Sequence, residues 1–363
     1  MRIAVLGGGN GSFAAAADMA AAGHEVRLWR RDRDAVAQHR ANGNTITIKD
    51  FSGKRDIKIA DVTTDIAAAV KDAELILCPA PATAQPDIAR LLAPHLRDGQ
   101  VVYLPPGTFG SMIFAKAAWD AGNRAQASFA ETGTLPWLTR KHGPFEVAIT
   151  VRAKRLPTGV FPLVRKAHAL SVISAAFPNV IEDCGDALSG ALMNAGPIIH
   201  PPLITMNAGP LEHFDRWDIH KEGTQPAIRR VTSALDAERI AVRSELGYGA
   251  PHFPLADHYA KEGDEWMYGR GSHDRLTDSG DWREHIVLTE HRYMREDTRI
   301  GLSFLISAAE LAKVPAPLAR AFASIGGAVC GEDFMHTGRT LHSLGFGHLD
   351  RVGLQKLLHD GFQ

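Results

Sequence analysis

The sequence predicts a doubly wound α/β domain of Rossmann type followed by a helical domain. Three observations carry this prediction. Short apolar runs alternate with helix-forming segments through the amino-terminal half, and a glycine-rich turn joins the first run to the first helical segment. Past about residue 184, long helical periodicities take over and β-branched alternating runs nearly vanish. Alternation of strand and helix gives a parallel sheet covered by helices.

The elements follow in order. Ile3 to Leu6 is apolar and ends in glycines, as a buried strand does. Phe13 to Ala22 is alanine-rich and helical, closed by Gly23. Val26 to Trp29 is the second strand, and Asp34 to Arg40 is helical. Thr45 to Lys49 alternates as a strand, with Ile57 to Ile59 as its partner. Ile66 to Lys71 is a short helix, and Leu75 to Cys78 is a strand stopped by Pro79 and Pro81. Ile88 to Ala93 and Phe114 to Ala121 are helices flanking the strand Val101 to Leu104, and Val147 to Val151 adds a later strand. Helices are then expected over Ala187 to Gly196, Thr232 to Leu246, Ile300 to Lys313 and Pro317 to Ser324. This places the boundary near Cys184, with a dinucleotide-binding domain over 1–184 and a helical substrate domain over 185–363. The stretch from His252 to Trp282 has no periodicity and reads as a long irregular loop.

Composition excludes several classes. The 363 residues are 45% hydrophobic and 22% charged, which suits a globular protein with a sizeable core. Forty basic against 41 acidic side chains leave a net charge of −1, which argues against nucleic acid as a partner. No apolar run approaches the roughly 20 residues that span a bilayer. The three cysteines are scattered, which suits a reducing compartment, and the start MRIAVLGGGNGS is no secretory signal. A cytoplasmic location is expected. Neither H-E-x-x-H nor a paired Cys-His spacing occurs, so no metal site is expected, and His213, His220, His252, His258 and His273 read as loop and surface residues.

The turn Gly7-Gly8-Gly9-Asn10-Gly11-Ser12 carries the first chemical signal. Gly7 permits a tight turn, Gly9 admits a pyrophosphate against the backbone, and Ser12 lets the helix pack on the strand. Asn10 and Gly11 complete the loop, and the helix amino terminus offers N–H groups to phosphate. The second strand runs into Trp29-Arg30-Arg31-Asp32, where an NAD site usually carries an acid. Arg30 and Arg31 favour the 2′-phosphate of NADP, while Asp32 keeps NAD open. The loop Pro79-Ala80-Pro81 is expected to border the nicotinamide side.

The second domain adds the run Met193-Asn194-Ala195-Gly196-Pro197-Ile198-Ile199-His200-Pro201-Pro202, with a histidine just after an apolar helix. By periodicity alone His200 is more simply a core residue than a proton carrier. Here the chain resembles the opine dehydrogenases, the octopine/nopaline dehydrogenase group. The resemblance rests on GGGNGS, AETGTLPW from Ala130, MNAGPIIHPP around His200, KEGTQP from Lys221, LDAERIA from Leu235, RYMRED from Arg292 and GEDFMHTGRTLHSLGF near the end.

The resemblance implies reductive condensation of a 2-oxo acid with the amine of an amino acid, using NADH or NADPH, and suggests a homodimer. It places the catalytic histidine on His200, its carboxylate partner on Asp297, a carboxylate-binding arginine on Arg292 and an amine-binding acid on Glu131. Read without it, Asp297 would cap a helix beginning near Thr298, Arg292 would form a surface ion pair and Glu131 would be an exposed loop carboxylate. The aromatic residues Tyr259, Trp266, Tyr268 and Trp282 are candidates for the wall of an amine pocket. Two other readings stay open. One is a glycerol-3-phosphate dehydrogenase-like oxidoreductase, although Met193 stands where those proteins place a catalytic lysine. The other is a non-catalytic NADP sensor.

Overall fold

The structure is a computed structural model that describes residues 1–363. The chain divides into two compact units, Met1–Ala191 with Leu358–Gln363, and Leu192–Leu357.

The first unit contains strands β1 (Arg2–Leu6), β2 (Glu25–Trp29), β3 (Thr45–Asp50), β4 (Gly53–Lys58), β5 (Asp61–Thr63), β6 (Leu75–Leu77), β7 (Val101–Leu104), β8 (Ser128–Thr132), β9 (Trp137–Lys141), β10 (Glu146–Arg152), β11 (Leu156–Phe161) and β12 (Ile181–Asp186). Its helices are α1 (Asn10–Ala21), α2 (Arg33–Ala41), α3 (Ile66–Val70), α4 (Gln85–Leu92), α5 (Gly110–Asp120), α6 (Lys166–Ala176) and α7 (Ala187–Ala191). The main sheet has the order β12-β11-β8-β7-β6-β1-β2-β5. It is parallel from β5 to β8, then reverses at β11, and β12 runs parallel to β11. A second sheet, β4-β3-β10-β9, joins the expected β3–β4 hairpin to β10 and β9.

The apolar runs became strands because they are buried on both faces. Val5, Leu28, Ile76 and Val102 are all fully buried. Strands β8 and β11, which lack strong strand composition, form because each pairs along its length with a neighbour in the sheet. Continuation of the sheet through β11 and β12, with α7 packed on them, carries the first unit to Ala191, past the expected boundary at Cys184.

The second unit contains α8 (Gly196–Met206), α9 (Ala208–His213), the short strand β13 (Trp217–Asp218), α10 (Pro226–Glu245), α11 (Ala256–Tyr259), α12 (Ser272–Asp278) and β14 (Arg283–Glu284). A π-helix (Tyr293–Leu302) then runs directly into α13 (Ser303–Ala312), followed by α14 (Pro317–Cys330), α15 (Phe334–Thr337) and α16 (Arg351–Asp360). Leu203, Ile204, Leu211, Ile228, Tyr293 and Met294 belong to its core cluster. The segment expected as an irregular loop is ordered by its aromatics. Trp266, Tyr268 and Trp282 are all buried, and Trp266 packs on His258 at 4.8 Å. No helix is long and apolar enough to cross a membrane.

Two helix boundaries differ from expectation in ways that matter chemically. The expected helix Ala187 to Gly196 is two helices broken at residues 192–195, and α8 continues past His200. His200 therefore sits within α8, followed by Pro201 and Pro202, which cannot donate to the helix ladder. Pro197 in the first turn favours initiation there, and burial of Ile198, Leu203 and Ile204 offsets the cost of the later prolines. The helix expected from Ile300 begins at Tyr293 instead, so Asp297 is interior to it and caps nothing.

Candidate active site

In the first unit the glycine turn borders a cleft of about 210 Å³, lined by Gly7, Gly8 and Gly9 on one side of the sequence and Arg30, Arg31 and Asp32 on the other, with Ala80 and Pro81. Gly7 adopts φ +123°, which only glycine holds without strain, and its N–H donates to Trp29 O at 3.0 Å. Gly9 precedes the first turn of α1, and a side chain there would enter open space, which leaves its backbone approachable. Ser12 is buried against Gly7 and β1, the helix–strand packing expected of it.

Arg30 lies over the turn, its Nε within 2.8 Å of where a Gly8 Cβ would stand. That Nε is buried and has no hydrogen-bond partner. An open glycine backbone, a helix amino terminus and an unpartnered guanidinium atom are the donor set that nucleotide phosphates need, so these residues fit an NAD(P) cofactor.

Four expectations for this cleft change. Asn10 directs its Oδ1 to the Lys141 N–H at 3.0 Å, so it ties α1 to β9. Gly11 is a packing position, because a Cβ there would come within 2.9 Å of Leu135 and 3.1 Å of Pro79. Pro79 accordingly packs behind the helix, and the cleft wall is formed by its neighbours Ala80 and Pro81. Asp32 caps α2 by accepting from Ala35 N at 3.0 Å.

In the second unit the structure brings His200 and Asp297 together. His200 Nδ1 and Asp297 Oδ2 share a hydrogen bond of 2.8 Å, although the residues are 97 apart in sequence. Asp297 is buried, and its other oxygen lies against Gly196, where any side chain would collide with it. Glycine at the first turn of α8 thus admits the carboxylate to the positive end of that helix. Burial pushes the Asp297 carboxyl up to about 6, against the pull of Arg292 and His291.

The His200 ring stacks on Tyr293 at 3.7 Å and 10°. Tyr293 shares a 2.9 Å hydrogen bond with His220, a buried residue and not the surface histidine expected. Sequence reasoning passed over Tyr293 and His220. The available signal was spacing, since Tyr293 and Asp297 are four apart on one helix and can serve one ring. His258 is also buried, against the same expectation.

The other two candidates separate. Arg292 precedes the π-helix, with half its side chain exposed and Nε 3.2 Å from Glu296. It is thus an accessible guanidinium five residues before Asp297, whose carboxylate its charge favours. Glu131 is neither an exposed loop acid nor an open ammonium site. It is fully buried on β8 and accepts from Phe109 N at 2.7 Å, Ser111 N at 3.2 Å and Ser111 Oγ. Its carboxylate closes the amino terminus of α5, where Thr108 and Phe109 both take left-handed conformations. Gly107 has no room for a side chain because Glu131 occupies it.

Comparison with known proteins agrees with this geometry. Residues 183–330 match the family model described as NAD/NADP octopine/nopaline dehydrogenase, alpha-helical domain, and residues 2–105 match the NAD-dependent glycerol-3-phosphate dehydrogenase N-terminus. The chain is 27% identical over 359 residues to an opine dehydrogenase of Arthrobacter sp. (strain 1C), covering 97% of each. It is 27% identical over 386 residues to a vitopine synthase of Allorhizobium ampelinum, covering 95% of this chain and 96% of the relative. Among solved structures, octopine dehydrogenase in complex with NADH and agmatine shares the fold with a TM-score of 0.75 at 17% identity, over 100% of this chain and 98% of that one. The chain is thus similar to the opine dehydrogenases over nearly its whole length, and its second unit matches their helical-domain model.

Proposed function

We propose that the protein is an NAD(P)H-dependent opine dehydrogenase. It condenses a 2-oxo acid with the amine of an amino acid and reduces the resulting imine. The observation that carries this reading is the His200–Asp297 hydrogen bond in a chain with this likeness to the opine dehydrogenases. It supplies an oriented, titratable group of the kind that imine formation requires.

The roles follow from the chain's own groups. Asp297 holds Nδ1 and favours the imidazolium, which leaves Nε2 to exchange the proton. Protonated His200 polarises the oxo group toward amine attack and then donates to the departing hydroxyl of the carbinolamine, so that water leaves. Stacking on Tyr293 fixes the ring plane. Arg292 offers its exposed guanidinium edge to the oxo-acid carboxylate. Gly7, Gly9, Ser12 and Arg30 hold the dinucleotide, whose nicotinamide supplies the hydride for the C=N bond.

Glu131 is left out of substrate binding, because its oxygens already serve α5. The glycerol-3-phosphate dehydrogenase-like alternative is disfavoured by Met193, a buried thioether that cannot transfer a proton. We also place the protein in the cytoplasm, on its three free cysteines, and as a homodimer, which sedimentation would check.

The test is a matrix of 2-oxo acids against amino acids, read as loss of NADPH or NADH absorbance. Consumption is expected only when both substrates are present. Oxidation with an oxo acid alone would point to a hydroxy-acid dehydrogenase, and cofactor binding without turnover on any pair would point to a sensor.

A further inference from the structure

We propose that Lys141, acting with Arg30, recognises the 2′-phosphate of NADP(H), and that Asn10 is the residue that positions it. This rests on the reading of the glycine-turn cleft as a dinucleotide site. The observation is a pair of cations gathered on one aromatic ring. Arg30 stands 5.4 Å and Lys141 Nζ 3.8 Å from the centroid of Phe13, one turn into α1. Neither forms an ion pair, and Arg30 Nε is buried without a hydrogen-bond partner. The acid near Arg30 is Asp32, whose carboxylate is occupied in capping α2.

Two half-buried cations with no ion-pair partner repel each other. Lys141 is held below its ordinary value by burial and then by the charge of Arg30. His39, which packs between Phe13 and Phe145 with ring centroids 5.3 Å and 5.0 Å away, adds no charge. Its ring is pushed down to about 4 by burial and by both cations. The arrangement is therefore electropositive and incomplete, and a phosphate dianion satisfies it.

Its place is set by Asn10. The Asn10 side chain binds the Lys141 backbone N–H, so the end of β9 is fastened to the first turn of α1, beside the helix terminus that meets the cofactor phosphates. Arg31, expected from sequence to share this task, is instead 64% exposed and 3.9 Å from Asp87. A carboxylate neighbour of that kind opposes phosphate binding. The strand-end dipeptide Arg30-Arg31 thus contributes one residue, and a strand far away in sequence contributes the other.

The experiment measures dissociation constants for NADP+ and NAD+ by calorimetry on the full-length protein, with adenosine 2′-monophosphate as a probe of the phosphate alone. Unsubstituted protein is expected to bind NADP+ more tightly. Lys141→Gln should weaken NADP+ and adenosine 2′-monophosphate about tenfold while NAD+ stays within about twofold. Lys141→Arg should restore NADP+, and Asn10→Ala should lose part of the selectivity. Thermal melts of each variant report folding separately. Equal weakening of NADP+ and NAD+ by Lys141→Gln, no weakening of either, or a wild-type preference for NAD+ would overturn the assignment. If unsubstituted protein binds neither dinucleotide, the cleft reading itself fails, a result seen before any substitution is made.

Discussion

Glu131 and Asp297 are both buried carboxylates beside a helix amino terminus, one in each unit, and they do opposite work. Glu131 is surrounded by the N–H groups of Phe109 and Ser111 and by the Ser111 hydroxyl. Such partners are backbone N–H groups and a hydroxyl of one loop and one helix, so its role is to hold the two together. Asp297 meets an imidazole, a partner that titrates, and burial lifts its own carboxyl to about 6. The difference shows that burial of an acid says little about function, and the chemistry of its donors says much.

The largest effect that would sharpen this contrast comes from Asp297→Asn and His200→Ala. Each should lower kcat by about 10²- to 10⁴-fold, the range for loss of an oriented general acid. Dinucleotide affinity, measured by titration, should barely change, since the glycine turn lies in the other unit. Near-normal turnover in either variant would break the assignment. Glu131→Ala should do the reverse. It strands three donors in a buried place and should cost about 3 kcal/mol in denaturant unfolding, with activity per folded molecule largely kept. A collapse of kcat at unchanged stability would restore Glu131 to the chemistry.

The pH dependence separates the two acids next. The folded-state value of Asp297 lies above its ordinary one, so protonation stabilises the fold, an effect complete below about pH 4 and lost as pH rises through about 6. The proposed role of Asp297 requires its ionised form, so kcat should fall as pH drops through about 6. Stability relative to Asp297→Asn and turnover should therefore move in opposite directions across this window. Parallel changes would contradict the proposed pairing. The smallest effect is expected from Tyr293→Phe. It deletes the hydrogen bond to His220 and keeps the stacked ring, so it should cost about 1 kcal/mol of stability and only a few-fold in kcat.

Much of this was legible in advance where the information is local. The turn from Leu6 to Ser12 encodes its own geometry, since Gly7 must take a positive φ and Ser12 must be small. The apolar runs Ile3 to Leu6, Val26 to Trp29 and Leu75 to Cys78 could only be buried strands, and the ordered motifs shared with the family located His200 and Asp297. Boundaries were less legible around His200, because helix propensity stops at prolines that tertiary burial tolerates.

The sequence by itself determined a dinucleotide turn, an alternating α/β half and a helical half, because each depends on neighbours within a few positions, whereas His200 and Asp297 were marked by the family resemblance. Only the tertiary structure decided which charges meet. It closed the His200–Asp297 contact that the resemblance implied, stacked that ring on Tyr293, gave Glu131 to α5 and gathered Lys141 and Arg30 on Phe13. The physical reason is that a side chain's chemistry is set by its partners and its distance from water, and folding brings both from remote parts of the chain.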